Sequence, residues 1–293
     1  MSQRRPLPRE CGGDYGSLGD TNDVVRAESR WRVSFANVNG QKIFYNDSGG
    51  RGPAVVLAHG FLMDSSMFDA QVAALSDKFR VVTWDERGFG QTEHDGKPFT
   101  YWDSARDCLA LMTHLGIDSA VVGGMSQGGF LSLRAALTAP ERVRALVLID
   151  TAADIDSPEI LAGYRQMVDT WVAHGPVDDL VNVIANIIIA DPNENPRWIA
   201  KWKARPKESM VHPAGCLLDR DDISARLGEI TCPALIIHGT KDSAISAERA
   251  EALQRGLRNA DRIVWVEGAA HAANLTHPGV VNPPLRAFLE RVA

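Results

Sequence analysis

Several features that mark other classes of protein are missing from this sequence. Nowhere do about 18 apolar residues follow one another, so we expect no membrane-spanning helix. The net charge is -6 and no long block carries one sign, so neither nucleic acid nor an anionic membrane is an expected partner. Internal repeats and low-complexity tracts are also absent. A soluble globular protein remains, because 293 residues with 45% hydrophobic content can bury a large core.

Cysteine is scarce, and its placement argues against metal or redox chemistry. Four cysteines lie far apart and match no metal-ligand or redox spacing: Cys11, Cys108, Cys216 and Cys232. We therefore expect reduced thiols in a cytosolic protein. We also expect no metal and no organic cofactor.

The first 30 residues have almost no apolar periodicity. Their prolines, glycines and charged residues predict a disordered or loosely packed N-terminal tail over residues 1–30. The pair Arg4-Arg5 is typical of the start of an export signal, but no apolar segment of about 7 to 15 residues follows it. The sequence therefore predicts a cytoplasmic protein.

From residue 31 onward, strand-like and helix-like segments alternate. A β-hairpin turning at Asn39-Gly40 is followed by short apolar runs that predict strands. These runs cover residues 54–58, 80–84, 119–122, 143–149, 234–238 and 262–266. Segments with helical periodicity separate them. The alternation predicts an α/β fold with a mostly parallel central sheet flanked by helices.

The alternation stops between residues 151 and 230. This stretch contains three segments with helical spacing, at 157–174, 177–189 and 197–204, and no convincing strand. We interpret it as a helical cap inserted into a core formed by residues 31–150 and 231–293.

The sequence Gly124-Met125-Ser126-Gln127-Gly128 joins a predicted strand to a predicted helix. A serine on such a sharp turn projects its hydroxyl away from the backbone, and the glycines two residues away leave room for the turn. We therefore predict that Ser126 is a catalytic nucleophile. Such a serine needs a base to take its proton and a carboxylate to orient that base.

With this motif, the chain resembles enzymes of the α/β-hydrolase fold over residues from about 31 to the end. Four further motifs carry the resemblance: His59-Gly60-Phe61, Asp85-Glu86-Arg87-Gly88-Phe89-Gly90, Gly239-Thr240-Lys241-Asp242 and Gly268-Ala269-Ala270-His271. The resemblance implies a triad in the order Ser126, Asp242, His271. The strand pattern leads to the same places, since predicted strands end shortly before Asp242 and before His271.

In this scheme His271 exchanges a proton with Ser126, and Asp242 fixes the tautomer of His271. The resemblance assigns the oxyanion hole to the backbone N–H groups of Phe61 and Gln127. Asp150, which follows the sixth strand, is the alternative triad acid.

Residues expected to line the substrate pocket are His59, Leu62, Met125, Trp198 and Trp202. We expect His59 to hold the oxyanion loop by hydrogen bonding rather than to act as the base. The stripe formed by Arg197, Lys201 and Arg205 is expected to be a solvated basic face, and its alternative role is to bind an acidic substrate.

Resemblance to 3-oxoadipate enol-lactonases, esterases and cofactor-free haloperoxidases predicts a serine hydrolase that cleaves a small carboxylic ester. Lactone opening is the first alternative, followed by peracid formation, C–C bond hydrolysis, and ligand binding without catalysis. Epoxide hydrolases and dehalogenases use a carboxylate nucleophile, and position 126 is serine. Haloperoxidase-like relatives often carry proline where this chain has Leu62, so hydrolysis is favoured over peracid formation. The assembly is left open between monomer and homodimer.

Overall fold

A computed structural model describes residues 32–292, so the expected N-terminal tail lies outside the described residues. Eight strands occur in this range and form one sheet. They are β1 (Arg32–Val38), β2 (Gln41–Asp47), β3 (Ala54–Ala58), β4 (Arg80–Trp84), β5 (Ala120–Met125), β6 (Val143–Ile149), β7 (Ala234–Gly239) and β8 (Val264–Val266).

The strand order is β1-β2-β4-β3-β5-β6-β7-β8. The hairpin β1–β2 is antiparallel, as is the pairing of β2 with β4. Every other neighbouring pair is parallel. The predicted mostly parallel sheet is therefore confirmed, and the carboxyl ends of β3 and β5–β8 meet at one edge.

Ten α-helices lie in the described part of the chain. They are α1 (Asp69–Leu75), α2 (Tyr101–His114), α3 (Gln127–Thr138), α4 (Pro158–His174), α5 (Asp178–Ile188), α6 (Asn195–Lys203), α7 (Val211–Leu218), α8 (Ala247–Gly256), α9 (Ala273–Thr276) and α10 (Pro278–Val292). None of these helices is long and apolar enough to cross a membrane.

The sheet separates two apolar layers because successive side chains of a strand point to opposite faces. Val56 and Val122 pack with residues of α2 and α3 on one face. Val55 and Val121 pack with residues of α1 and α10 on the other. Buried side chains of α4, α5 and α6 extend this second layer. The predicted flanking of the sheet by helices is thus confirmed.

Helices α4–α7 all lie between β6 and β7, and we call them the cap. Three of the four match the predicted helical segments to within two residues. Helix α7 was not predicted, and it contains Pro213 and Gly215, two residue types that are unfavourable in a helix interior. Pro213 lies in the first turn of α7, where a missing backbone N–H has no consequence.

Strand β5 continues to Met125, three residues beyond the predicted end at 122. Gly123 and Gly124, which lie in the added part of the strand, permit close strand packing. A β-carbon on Gly123 would meet the backbone of Val147, and one on Gly124 would meet the carbonyl oxygen of Ala58. The longer strand places Ser126 directly at the edge of the sheet.

Candidate active site

Four polar residues follow the carboxyl ends of neighbouring parallel strands. Ser126 comes directly after β5, and Asp150 directly after β6. Asp242 follows β7 by three residues, and His271 follows β8 by five. Loops at this edge of an open α/β sheet commonly form the ligand site.

Ser126 has a backbone conformation that few non-glycine residues adopt, with φ 52° and ψ −114°. Such a conformation costs about 1–3 kcal/mol and persists only where the surroundings enforce it. Here Ser126 donates its N–H to the Ile149 carbonyl over 2.9 Å, and its carbonyl accepts the Thr151 hydroxyl over 2.8 Å. A β-carbon on Gly128 would collide with the Ala58 backbone. The predicted sharp turn is therefore present and tightly enclosed.

Asp242 and His271 form a direct hydrogen bond, with 2.8 Å between Asp242 Oδ2 and His271 Nδ1. The other carboxylate oxygen of Asp242 accepts the backbone N–H groups of Ala244 and Ile245 over 2.8 and 2.9 Å. These bonds hold the carboxylate so that His271 carries its proton on Nδ1 and leaves Nε2 as the acceptor. This is the orientation a general base needs.

The local electrostatics favour an ionised Asp242 beside a basic His271. Burial opposes the charged form of Asp242, but the charge and hydrogen bond of His271 hold the Asp242 pKa below its usual value. Burial also disfavours protonated His271, yet the Asp242 carboxylate outweighs it and raises the His271 pKa above 6.5. The pair therefore stabilises an imidazolium.

Asp150, the alternative acid, makes no hydrogen bond to His271 among the described residues. Its two carboxylate oxygens accept the backbone N–H groups of Gly239 and Ala273 over 2.7 and 3.0 Å. Burial and the nearby Asp242 charge raise the Asp150 pKa well above its ordinary value. These bonds connect the carboxyl end of β7 to the first residue of α9.

His238 lies between the two acids, 3.7 Å from Asp150 and 3.8 Å from Asp242. Each ring nitrogen faces a different carboxylate, and all four carboxylate oxygens of the two acids already lie within hydrogen-bond distance of a donor or ring nitrogen. Hydrogen bonds therefore hold both carboxylates in place, and Asp150, His238 and Asp242 each still bring one potential ligand atom within 4.8 Å of the others.

Two backbone N–H groups near Ser126 remain available. Gln127 is the first residue of α3, so its N–H has no partner within the helix. The Phe61 N–H likewise has no acceptor within residues 32–292. Phe61 lies in the loop after β3 and Gln127 begins the helix after β5, so both N–H groups stay candidate donors for the predicted oxyanion hole.

His59 supports the loop after β3. Its Nε2 accepts the Glu86 N–H over 2.9 Å, so Nδ1 carries the proton and donates to the Gly60 carbonyl over 2.8 Å. Burial lowers the His59 pKa, which keeps the ring neutral. This arrangement agrees with the structural role expected for His59.

Ser126 and His271 open onto the same cavity, whose volume is about 890 Å³ including its solvent-open part. Apolar side chains from the core and from the cap helices α4, α5 and α7 form most of its wall. They are Phe61, Leu62, Met125, Phe130, Met167, Val168, Trp171, Ile184, Ile187, Ile188, Met210, Leu217, Leu218, Ala244 and Ile245. The polar lining is limited to Ser126, His271, Asp156, Tyr164 and Arg220.

Of the predicted pocket residues, Leu62 and Met125 line this cavity. His59, Trp198 and Trp202 are fully buried outside its lining. Sequence reasoning did not anticipate Arg220 or the α7 residues Leu217 and Leu218. Nothing in the local pattern indicated them, because they reach the cavity only through the packing of the cap.

The basic stripe, which begins in α6 and ends at Arg205 just beyond it, contacts the core. Lys201 Nζ lies 2.6 Å from Asp64 Oδ2 and 2.8 Å from Ser66 Oγ. Arg197 bonds the same Ser66 hydroxyl over 3.1 Å, and Arg205 donates to the Gly88 carbonyl. None of the three basic side chains lines the cavity.

Residues 53–278 match the family model described as alpha/beta hydrolase fold. The chain belongs to that family. Among its relatives, a provisionally named non-heme chloroperoxidase from Synechocystis sp. is 31% identical over 85% of this chain and 95% of its own.

Two solved hydrolase structures are similarly close. An esterase from Thermogutta terrifontis aligns with a TM-score of 0.80 and 28% identity, over 89% of this chain and 97% of its own. The enol-lactonase from Burkholderia xenovorans aligns with a TM-score of 0.80 and 28% identity, over 87% and 99%. Both of these similar structures are therefore hydrolases.

Proposed function

We propose that this alpha/beta hydrolase cleaves carboxylic esters with Ser126 as nucleophile, His271 as general base and Asp242 as the acid that orients it. The observation that carries the proposal is the hydrogen bond between Asp242 and His271 Nδ1, with His271 sharing a cavity with the strained Ser126. The similarity to a solved esterase supports it. Residues 151–230 act as the cap that shapes the substrate site.

The reaction proceeds in two steps. His271 Nε2 removes the proton of Ser126 while Oγ attacks the ester carbonyl, and the oxyanion is bound by the N–H groups of Phe61 and Gln127. The alcohol leaves with the proton from His271, giving an acyl-serine. Water then repeats the sequence and releases the carboxylic acid. Each oxyanion donor is worth about 3 kcal/mol of transition-state stabilisation.

The cavity wall favours a neutral, apolar substrate. Its one buried cation, Arg220, is paired with Asp156 over 2.7 Å, and Arg249 bonds the other Asp156 oxygen over 2.5 Å. Compensated charges of this kind give a carboxylate little net attraction. Because Arg197 and Lys201 also bind core residues, no free cation faces the cavity among the described side chains.

The backbone at Leu62 argues for hydrolysis over peracid formation. Leu62 has φ 65°, a value that the proline ring cannot adopt because it fixes φ near −65°. The loop after β3 therefore differs in conformation from the loop of haloperoxidase-like relatives that carry proline at this position. This difference favours hydrolysis over peracid formation.

Hydrolysis of p-nitrophenyl acetate, butyrate and octanoate tests the proposal. We expect turnover that requires Ser126 and a kcat/KM that rises from acetate to the longer acyl chains as apolar surface is buried. Activity that survives Ser126→Ala would exclude this nucleophile. A matched ester with a terminal carboxylate should react more slowly, and an equal rate would refute the substrate class.

Lactone opening is a second candidate, favoured by the similarity to the solved enol-lactonase. Opening a ring requires the same attack on a carbonyl, and the leaving alkoxide stays attached to the acyl group. A higher kcat/KM for an unsubstituted aliphatic lactone than for the open-chain ester of equal carbon number would favour this candidate.

A further inference from the structure

Trp202 connects the cap to the loop that carries one oxyanion donor. The residue lies in α6 and is fully buried. Its indole N–H donates to the Leu62 carbonyl oxygen over 2.7 Å. Since Trp202 does not line the cavity, this bond serves the loop rather than a substrate.

The bond is the first of a series that runs through two peptide groups. The Leu62 carbonyl belongs to the same peptide group as the Met63 N–H, which donates to the Gly60 carbonyl over 3.0 Å. That carbonyl in turn shares its peptide group with the Phe61 N–H. Trp202 is therefore linked, through two successive peptide dipoles, to the N–H proposed to bind the oxyanion.

Peptide hydrogen bonds arranged in series polarise one another, and each one restricts the orientation of the next peptide plane. A second donor, His59 Nδ1, also bonds the Gly60 carbonyl over 2.8 Å. Loss of the Trp202 bond would therefore loosen the Phe61 N–H without releasing the loop completely.

The conformation of the loop explains why such a bond is needed. Leu62 has φ 65°, in the left-handed region that costs a branched residue about 1–2 kcal/mol. A hydrogen bond from a rigid, buried donor to the carbonyl of that same residue opposes relaxation to an ordinary conformation. Nearby, Lys201 bonds Asp64, whose carboxylate accepts the Ser66 N–H over 3.0 Å, so α6 is attached to the loop at a second point.

We propose that Trp202 is a positioning residue for catalysis, whose indole N–H holds the Leu62–Met63 peptide and thereby the Phe61 oxyanion donor. The inference rests on the proposed ester hydrolysis. It assigns to the cap a part in transition-state stabilisation in addition to enclosing substrate.

The test compares Trp202→Phe with Trp198→Phe. Trp198 lies one turn away in the same helix and is equally buried, but its indole nitrogen has no hydrogen-bond partner among the described residues. Both variants exchange a buried indole for a phenyl ring. Only Trp202→Phe removes a bond to the loop. Thermal unfolding of both variants measures the shared packing loss.

We expect Trp202→Phe to lower kcat for p-nitrophenyl butyrate about 3- to 10-fold, as loss of one hydrogen bond acting on the transition state predicts, with little change in KM. The affinity for an aryl trifluoromethyl ketone, whose serine adduct carries the oxyanion, should fall by a similar factor. Trp198→Phe should change both quantities by less than about twofold.

Equal losses in the two variants, or an unchanged kcat in Trp202→Phe, would overturn the inference while ester hydrolysis stands. A wild-type enzyme that neither hydrolyses esters nor forms the ketone adduct would instead refute the proposed function, and this inference with it.

Discussion

At the scale of single residues, two buried aspartates, Asp242 and Asp150, are candidates for the triad acid. Only Asp242 bonds His271, whereas Asp150 binds two backbone N–H groups. We expect Asp242→Asn to lower kcat about 10⁴-fold, because the amide cannot hold the required tautomer. Asp150→Asn should lower kcat less than about tenfold, although a mispaired backbone N–H destabilises the fold by about 1–3 kcal/mol. Steady-state kinetics and urea unfolding separate the two effects. A larger kcat loss in Asp150→Asn would reverse the assignment.

The pH profile reports on the same pair. His271 acts as a base only when neutral, and the Asp242 carboxylate raises its pKa above 6.5. Activity should therefore be present above that raised pKa and be lost as the pH falls through it, so the acidic limb of kcat/KM has its midpoint above pH 6.5. In the residual activity of Asp242→Asn the midpoint should move to lower pH. A wild-type midpoint below 6.5 would contradict this electrostatic account.

At the scale of elements, the turn between β5 and α3 depends on the absence of side chains. A β-carbon on Gly128 would meet backbone atoms of Ala58 and His59, which cannot move aside independently. We expect Gly128→Ala to lower the free energy of unfolding by at least about 1–3 kcal/mol. Denaturant unfolding monitored by fluorescence measures the change.

The matched control is Gly163→Ala in α4, where a β-carbon meets nothing within 4 Å. Alanine is favoured over glycine in an exposed helix by about 1 kcal/mol, so this variant should be more stable than wild type. If both substitutions shifted the unfolding free energy in the same direction, the steric account of the turn would be wrong.

Most of the strands and helices could be predicted from the sequence, and two details of them could not. Strand and helix periodicity predicted the sheet. Ser126 came from its Gly-x-Ser-x-Gly motif, and Asp242 and His271 came from the family resemblance, with predicted strand ends leading to the same places. The end of β5 and the existence of α7 were missed, because glycine and proline give weak local signals for strand and helix. Their actual roles depend on neighbours distant in sequence, such as Val147 beside Gly123.

At the scale of the whole molecule, the cap could be expected but its contacts could not. The spacing of Trp198 and Trp202 indicated a shared helix face, yet local sequence does not say whether that face meets substrate or core. Tertiary packing directs it to the loop after β3 and leaves Met167, Ile184 and Met210 to line the cavity. The lining of the cavity is therefore set by packing between segments far apart in the chain.

Covalent labelling tests most directly whether Ser126 is an activated nucleophile, on which the whole proposed reaction depends. Intact-mass measurement after treatment with an alkyl fluorophosphonate should show a single adduct, formed as Oγ displaces fluoride from phosphorus. The adduct should be absent in Ser126→Ala and strongly slowed in His271→Ala. An unlabelled wild-type protein, or an adduct that persists in Ser126→Ala, would contradict the account.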